Sequence, residues 1–165
     1  MSNIDRVYVD IESELTQIFA ELGMDDPKYR QGSAWLKSLV LIAIRYPTAW
    51  TKGHLEYIGS MHNITRERVR VILWRTAAEK WSYQCWKKFS EKFGYSVAPH
   101  FAIVSKPNAY EFVALLADNL RIKYQIQPQD EDFAWSKVCM AVIAEQPAEG
   151  NENPAFVDDD DFVDI

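Results

Sequence analysis

The sequence predicts an all-α protein, and three observations predict it. Apolar residues recur at three- and four-residue spacings along most of the chain, the period of a helix with one buried face. No segment shows the clean apolar/polar alternation of a half-buried strand. The 165 residues are 48% hydrophobic and 13% aromatic, enough to build a packed core.

Taken in order, Ile11, Leu15, Ile18, Phe19 and Leu22 place a first helix over 7–23, with Gly23 as its stop. Asp25-Asp26-Pro27 reads as a turn or a new helix start. From Trp35 to Ile44 only Lys37 and Ser38 interrupt the apolar residues, so this helix is expected at the centre of the core, ended by Pro47. Two helices follow at 54–61 and 65–81, and Lys80 to Phe89 continues helical before breaking at Gly94. Pro99 and Pro107 bracket a loop. A helix over 108–123 carries Phe112, Val113, Leu116 and Leu120 on one face. Pro128 and Asp130 open a last helix through about Ile143, apolar at Phe133, Val138, Met140 and Val142. From Gln146 the chain is rich in Pro, Glu and Asn and ends near four consecutive aspartates, a composition that predicts disorder. The expected organisation is a main domain over 1–126, an additional helix over 127–145 and an acidic tail over 146–165.

Composition excludes several classes. No apolar run approaches the roughly 20 residues of a membrane helix, and Asp5, Asp10, Glu12 and Glu14 occupy the region where a signal peptide would be basic and then apolar. The expectation is a cytoplasmic protein without a membrane partner. Cys85 and Cys139 show no metal or redox spacing and read as buried free thiols. His54, His62 and His100 show no metal-ligand spacing either, and no Gly-rich phosphate loop is present. Glu111 and Asp118 share one helical face, where pairing with Lys106 or Arg121 is expected rather than acid–base work. The reading is of a non-enzyme without a cofactor.

The net charge of −6 is unevenly distributed. Residues 127–165 hold one lysine against 11 acids, whereas residues 28–92 hold 13 basic and 4 acidic side chains. A basic middle of this kind points to a polyanionic partner.

Within that middle, residues 55–74 satisfy what two helices crossing steeply over a short turn require. Leu55 and Ile58 point inward, Gly59 is small where the second helix crosses, and Asn63 tolerates the left-handed region in the turn. Ile64 fills the gap beneath the turn, Thr65 caps the second helix, and Val69, Ile72 and Leu73 form its inward stripe. Arg66, Glu67, Arg70, Val71 and Trp74 are then left facing outward. N-terminal arginines of such a helix reach guanine edges or phosphates in a major groove. Arg68, Arg75 and Lys80 flank the row as phosphate contacts. His62, just before the turn, reads as a packing or phosphate-contacting residue. The candidate DNA-contacting set is Asn63, Thr65, Arg66, Arg68, Arg70, Val71, Trp74 and Arg75, with double-stranded DNA as the partner.

Several ordered blocks between about residues 8 and 126 resemble the C-terminal effector domain of the sporulation initiation factor family. They are Glu21-Leu22-Gly23-Met24, Gly32-Ser33-Ala34-Trp35-Leu36-Lys37, Thr65-Arg66-Glu67-Arg68-Val69 with Trp81 beyond it, and Phe93-Gly94-Tyr95-Ser96-Val97. The most specific block runs from Lys106-Pro107 through Glu111-Phe112-Val113-Ala114 to Ala117-Asp118-Asn119-Leu120-Arg121-Ile122. The resemblance implies a six-helix helix-turn-helix domain that binds DNA boxes and regulates transcription during sporulation, often as pairs on adjacent sites. The receiver domain that precedes this module in the family has no counterpart here, so phosphorylation-driven pairing does not carry over. The family's Glu-Arg-x-x-Arg falls on Arg70, Val71 and Trp74, which implies a different target sequence.

A second reading belongs to another class: an adaptor or antagonist that keeps the fold, has lost base reading and presents Val71 and Trp74 to a protein. The tail likewise has two readings, a solubilising end or a segment over Phe156 to Ile165 that competes with DNA for the basic surface or recruits a protein.

Overall fold

A computed structural model describes residues 3–47, 52–80, 83–94 and 108–128. Among these the protein is all-α: six helices and no strand. They are α1 (Asn3–Glu21), α2 (Arg30–Arg45), α3 (Lys52–His62), α4 (Arg66–Lys80), α5 (Tyr83–Phe93) and α6 (Ala109–Tyr124), with a 3-10 turn at Pro27–Tyr29. The second cysteine, the loop bracketed by Pro99 and Pro107, Lys106, Trp81, the helix expected beyond residue 128 and the acidic tail lie outside the described residues.

The sequence signals act where they were expected. Gly23 adopts φ 80°, which lets its N–H bond Ala20 O at 3.0 Å and the Met24 N–H bond Phe19 O at 2.8 Å, closing the last turn of α1. Asp26 caps the 3-10 turn by accepting the Lys28 N–H, with Pro27 at the first position. The start of α2 lies five residues before Trp35, because Arg30 to Ala34 continue the turn at Pro27–Tyr29 without a break.

Helix α2 is the centre of the core, packed by α1, α4 and α6. Trp35, Leu36, Leu39, Val40 and Ile44 are fully covered, and Ile11, Leu15 and Ile18 of α1, Leu73 of α4 and Leu116 of α6 meet them. Every such side chain contributes roughly 1.5–3 kcal/mol by leaving water. Where α2 passes α4, Gly32 faces the Thr76 side chain so closely that a Cβ there would collide with Thr76 Oγ1.

Helix α6 is anchored at both ends. Asn108 accepts the Glu111 N–H at 2.7 Å while Glu111 accepts the Asn108 N–H at 3.0 Å, so Glu111 serves a capping box. At the other end Arg121 donates to Ile44 O at 2.8 Å and Ala43 O at 2.6 Å, two carbonyls exposed by the end of α2, and pairs with Asp118 at 2.7 Å. The expected Asp118–Arg121 pair is therefore present. Glu14, covered within α1, accepts from Lys123 Nζ at 3.0 Å and from Tyr124 Oη at 2.7 Å, which fastens α1 to the end of α6.

Candidate nucleic-acid interface

The α3–turn–α4 unit rests on three local choices. A Cβ on Gly59 would sit 2.6 Å from Ile64 O, so only glycine lets the incoming chain pass this close. Asn63 takes φ 60°, and with it the Ile64 N–H reaches Gly59 O at 2.9 Å. Thr65 Oγ1 then accepts the Arg68 N–H at 3.1 Å, capping α4, which begins at Arg66. Leu55 and Ile58 of α3 and Val69, Ile72, Leu73 and Ala77 of α4 are buried beneath this crossing, with Ile64 half-buried under the turn.

The inward stripe fixes what the opposite side of α4 offers. At about 100° per residue, Glu67, Val71 and Trp74 fall along the middle of the outward side. Arg66 and Arg70 lie on one flank of that strip, and Arg68 and Arg75 on the other. All eight residues of the candidate set are thus on the turn or on α4.

The electrostatics of this surface are organised around acids. Glu67 accepts from Arg66 Nη2 at 3.2 Å through one oxygen and from Arg70 Nε at 3.4 Å through the other. Glu56, from α3, takes Arg66 Nη1 at 3.4 Å. The hydrogen bonds from Arg66 and then Arg70 hold the Glu67 carboxyl below its ordinary range, so it is ionised at neutral pH. The Arg70 guanidinium also lies 5.5 Å from the Trp74 ring centroid, within cation–π range. Trp74 is half-buried and leans on the core. On the other flank Arg75 pairs with Glu79 at 3.5 Å, and Tyr29 Oη donates to the same carboxylate at 3.2 Å.

His62 packs. Its ring lies 5.1 Å from that of Trp35, Nδ1 is 3.5 Å from Gln31 Nε2, and Nε2 is shielded from solvent. Burial lowers its pKa, so it enters the neutral range as an uncharged ring. His54 is buried in α3.

No family model matches the chain, and no solved structure matches it. No helix among the described residues is long and apolar enough to cross a membrane.

The sequence places Glu67 beside the arginine row but gives no sign of Glu56. The Glu67–Arg70 pair was signalled by its three-residue spacing on one helix. Glu56 meets Arg66 across the turn, which only the fold brings about.

Proposed function

We propose that this protein is a sequence-specific DNA-binding transcriptional regulator that presents α4 to a major groove. The observation that carries the reading is the outward side of α4. Arginines flank it on both edges and Glu67, Val71 and Trp74 run between them, along a helix whose start is capped by Thr65 after the turn at Asn63. A groove has two phosphate walls and a floor of base edges, and this distribution matches it. The ordered resemblance to the sporulation effector domain supports the same role and suggests pairs of molecules on adjacent sites, working in the cytoplasm. The adaptor reading is less favoured, because Trp74 packs partly on the core and its ring is taken up by the Arg70 guanidinium.

The test is duplex binding as a function of salt, using sequences selected from a random pool. Affinity should fall steeply between 50 and 200 mM salt in these trials, and Arg66→Ala and Arg70→Ala should each cost on the order of 1–3 kcal/mol where they read a base. A pool that yields no enriched motif and a flat salt response would reject the proposal in favour of the adaptor.

A further inference from the structure

Among the outward residues of α4, Glu67 occupies an unusual place for a DNA-facing surface. It stands in the middle of the strip between the two arginine flanks, at the second position of the helix, and its side chain is 63% exposed. An isolated carboxylate there would be repelled by phosphate. Here its charge is balanced by Arg66 and Arg70, one on each oxygen, and by the positive end of α4.

We propose that Glu67 is a specificity-determining residue that selects cytosine, its carboxylate accepting the exocyclic amine of that base while Arg66 and Arg70 hold it in register. This rests on the DNA-binding reading of α4. Three features support it. The first turn of a groove-entering helix is where side chains reach base edges. Cytosine offers the groove a hydrogen-bond donor in its exocyclic amine, the complement of an ionised carboxylate, whereas guanine offers two acceptors that would repel it. The two arginines engage the carboxylate before DNA arrives, one on each oxygen, which lowers the ordering needed on binding. Glu56 draws Arg66 towards α3, and so keeps that guanidinium to the side of Glu67. The family resemblance does not enter, since its base-reading positions fall on Arg70, Val71 and Trp74.

The experiment is selection from a random duplex pool with the full chain, run in parallel for wild type, Glu67→Gln and Glu67→Ala. The wild-type motif should contain one column fixed as cytosine. Glu67→Ala should relax that column, lowering discrimination there by about five- to 150-fold, the range of one good base contact. Glu67→Gln should move the same column towards adenine, the base that a glutamine pairs with through two hydrogen bonds. All other columns should be unchanged, which a merely structural loss would not produce, since weaker folding lowers affinity for every sequence alike. If wild type enriches a motif and both variants return the same motif in every column, the assignment of Glu67 is overturned while DNA binding stands. Changes spread over all columns overturn it too. If wild type enriches nothing, both readings fall together.

Discussion

At the scale of single residues, the turn between α3 and α4 concentrates the most severe constraints. The atom that Gly59 makes room for is a backbone carbonyl oxygen, which cannot rotate out of the way. Gly59→Ala should therefore cost about 1–3 kcal/mol, read as a lower urea midpoint at unchanged slope. Asn63 is held at φ 60°, where an alanine would be strained and a glycine relaxed. Asn63→Ala should lose about 1 kcal/mol, and Asn63→Gly should match wild type or exceed it. Gln125 takes φ 55° at the end of α6, so Gln125→Gly should stabilise by roughly 0.5–1 kcal/mol. Thermal melts of these variants check all three directions, and a stable Gly59→Ala would mean that the turn can move.

At the scale of elements, helix ends and helix crossings fix how α4 is presented. Thr65→Ala removes the cap on the Arg68 N–H and should cost about 1 kcal/mol of stability. Because the same helix start is the proposed DNA-facing end, DNA affinity should fall with it. The α2–α4 crossing predicts a non-additive pair. Gly32→Ala alone drives a Cβ into Thr76 Oγ1, whereas Gly32→Ala combined with Thr76→Ala removes that oxygen and should recover part of the loss. Equal and additive costs in the double-mutant cycle would contradict the crossing geometry. Arg121 is the link from α6 to the end of α2. Arg121→Lys should fail to replace it, because one ammonium cannot copy the planar fork that serves Ile44 O, Ala43 O and Asp118 together.

For the whole molecule, pH and salt expose different groups. His54 is 1% exposed, and burial pushes its pKa down to about 4 from an ordinary 6.5. The folded state therefore keeps His54 neutral while the unfolded chain takes up a proton below about pH 6.5. Its contribution is fully present above that pH and is lost as pH falls towards 4, up to about 3 kcal/mol in all. Urea midpoints between pH 7.5 and 4.5 should drop in wild type and drop less in His54→Gln. Equal slopes in the two would show that His54 is solvated. The charge asymmetry of the chain makes a separate prediction. Deleting residues 147–165 removes most of the acidic tail and should strengthen DNA binding at low salt if that segment competes for the basic surface. An unchanged affinity rejects the competition.

The sequence by itself determined the all-α class, the order of the helices and their punctuation, because these follow from local signals. Apolar residues at three- and four-residue spacing mark α1, α2, α4 and α6, and Gly23, Asn63 and Thr65 act on backbone groups within a few residues of themselves. It also determined which arginines lie on the outward side of α4, since Val69, Ile72 and Leu73 leave them nowhere else to go. Tertiary structure decided what those arginines do in the free protein. The approach of α3 to α4 at Gly59 sets Glu56 beside Arg66, completing a network that centres on Glu67. Likewise Arg121 finds the end of α2 across 77 positions of sequence, and Lys123 finds Glu14 across 109. Such pairs depend on distances set by packing, and helical spacing carries no record of them. Helix α4 was legible in the sequence as a scaffold with basic flanks. That Glu67 stands among those residues was legible too; that Glu56 reaches Arg66 across the turn, tying α3 into the network, was decided by the fold.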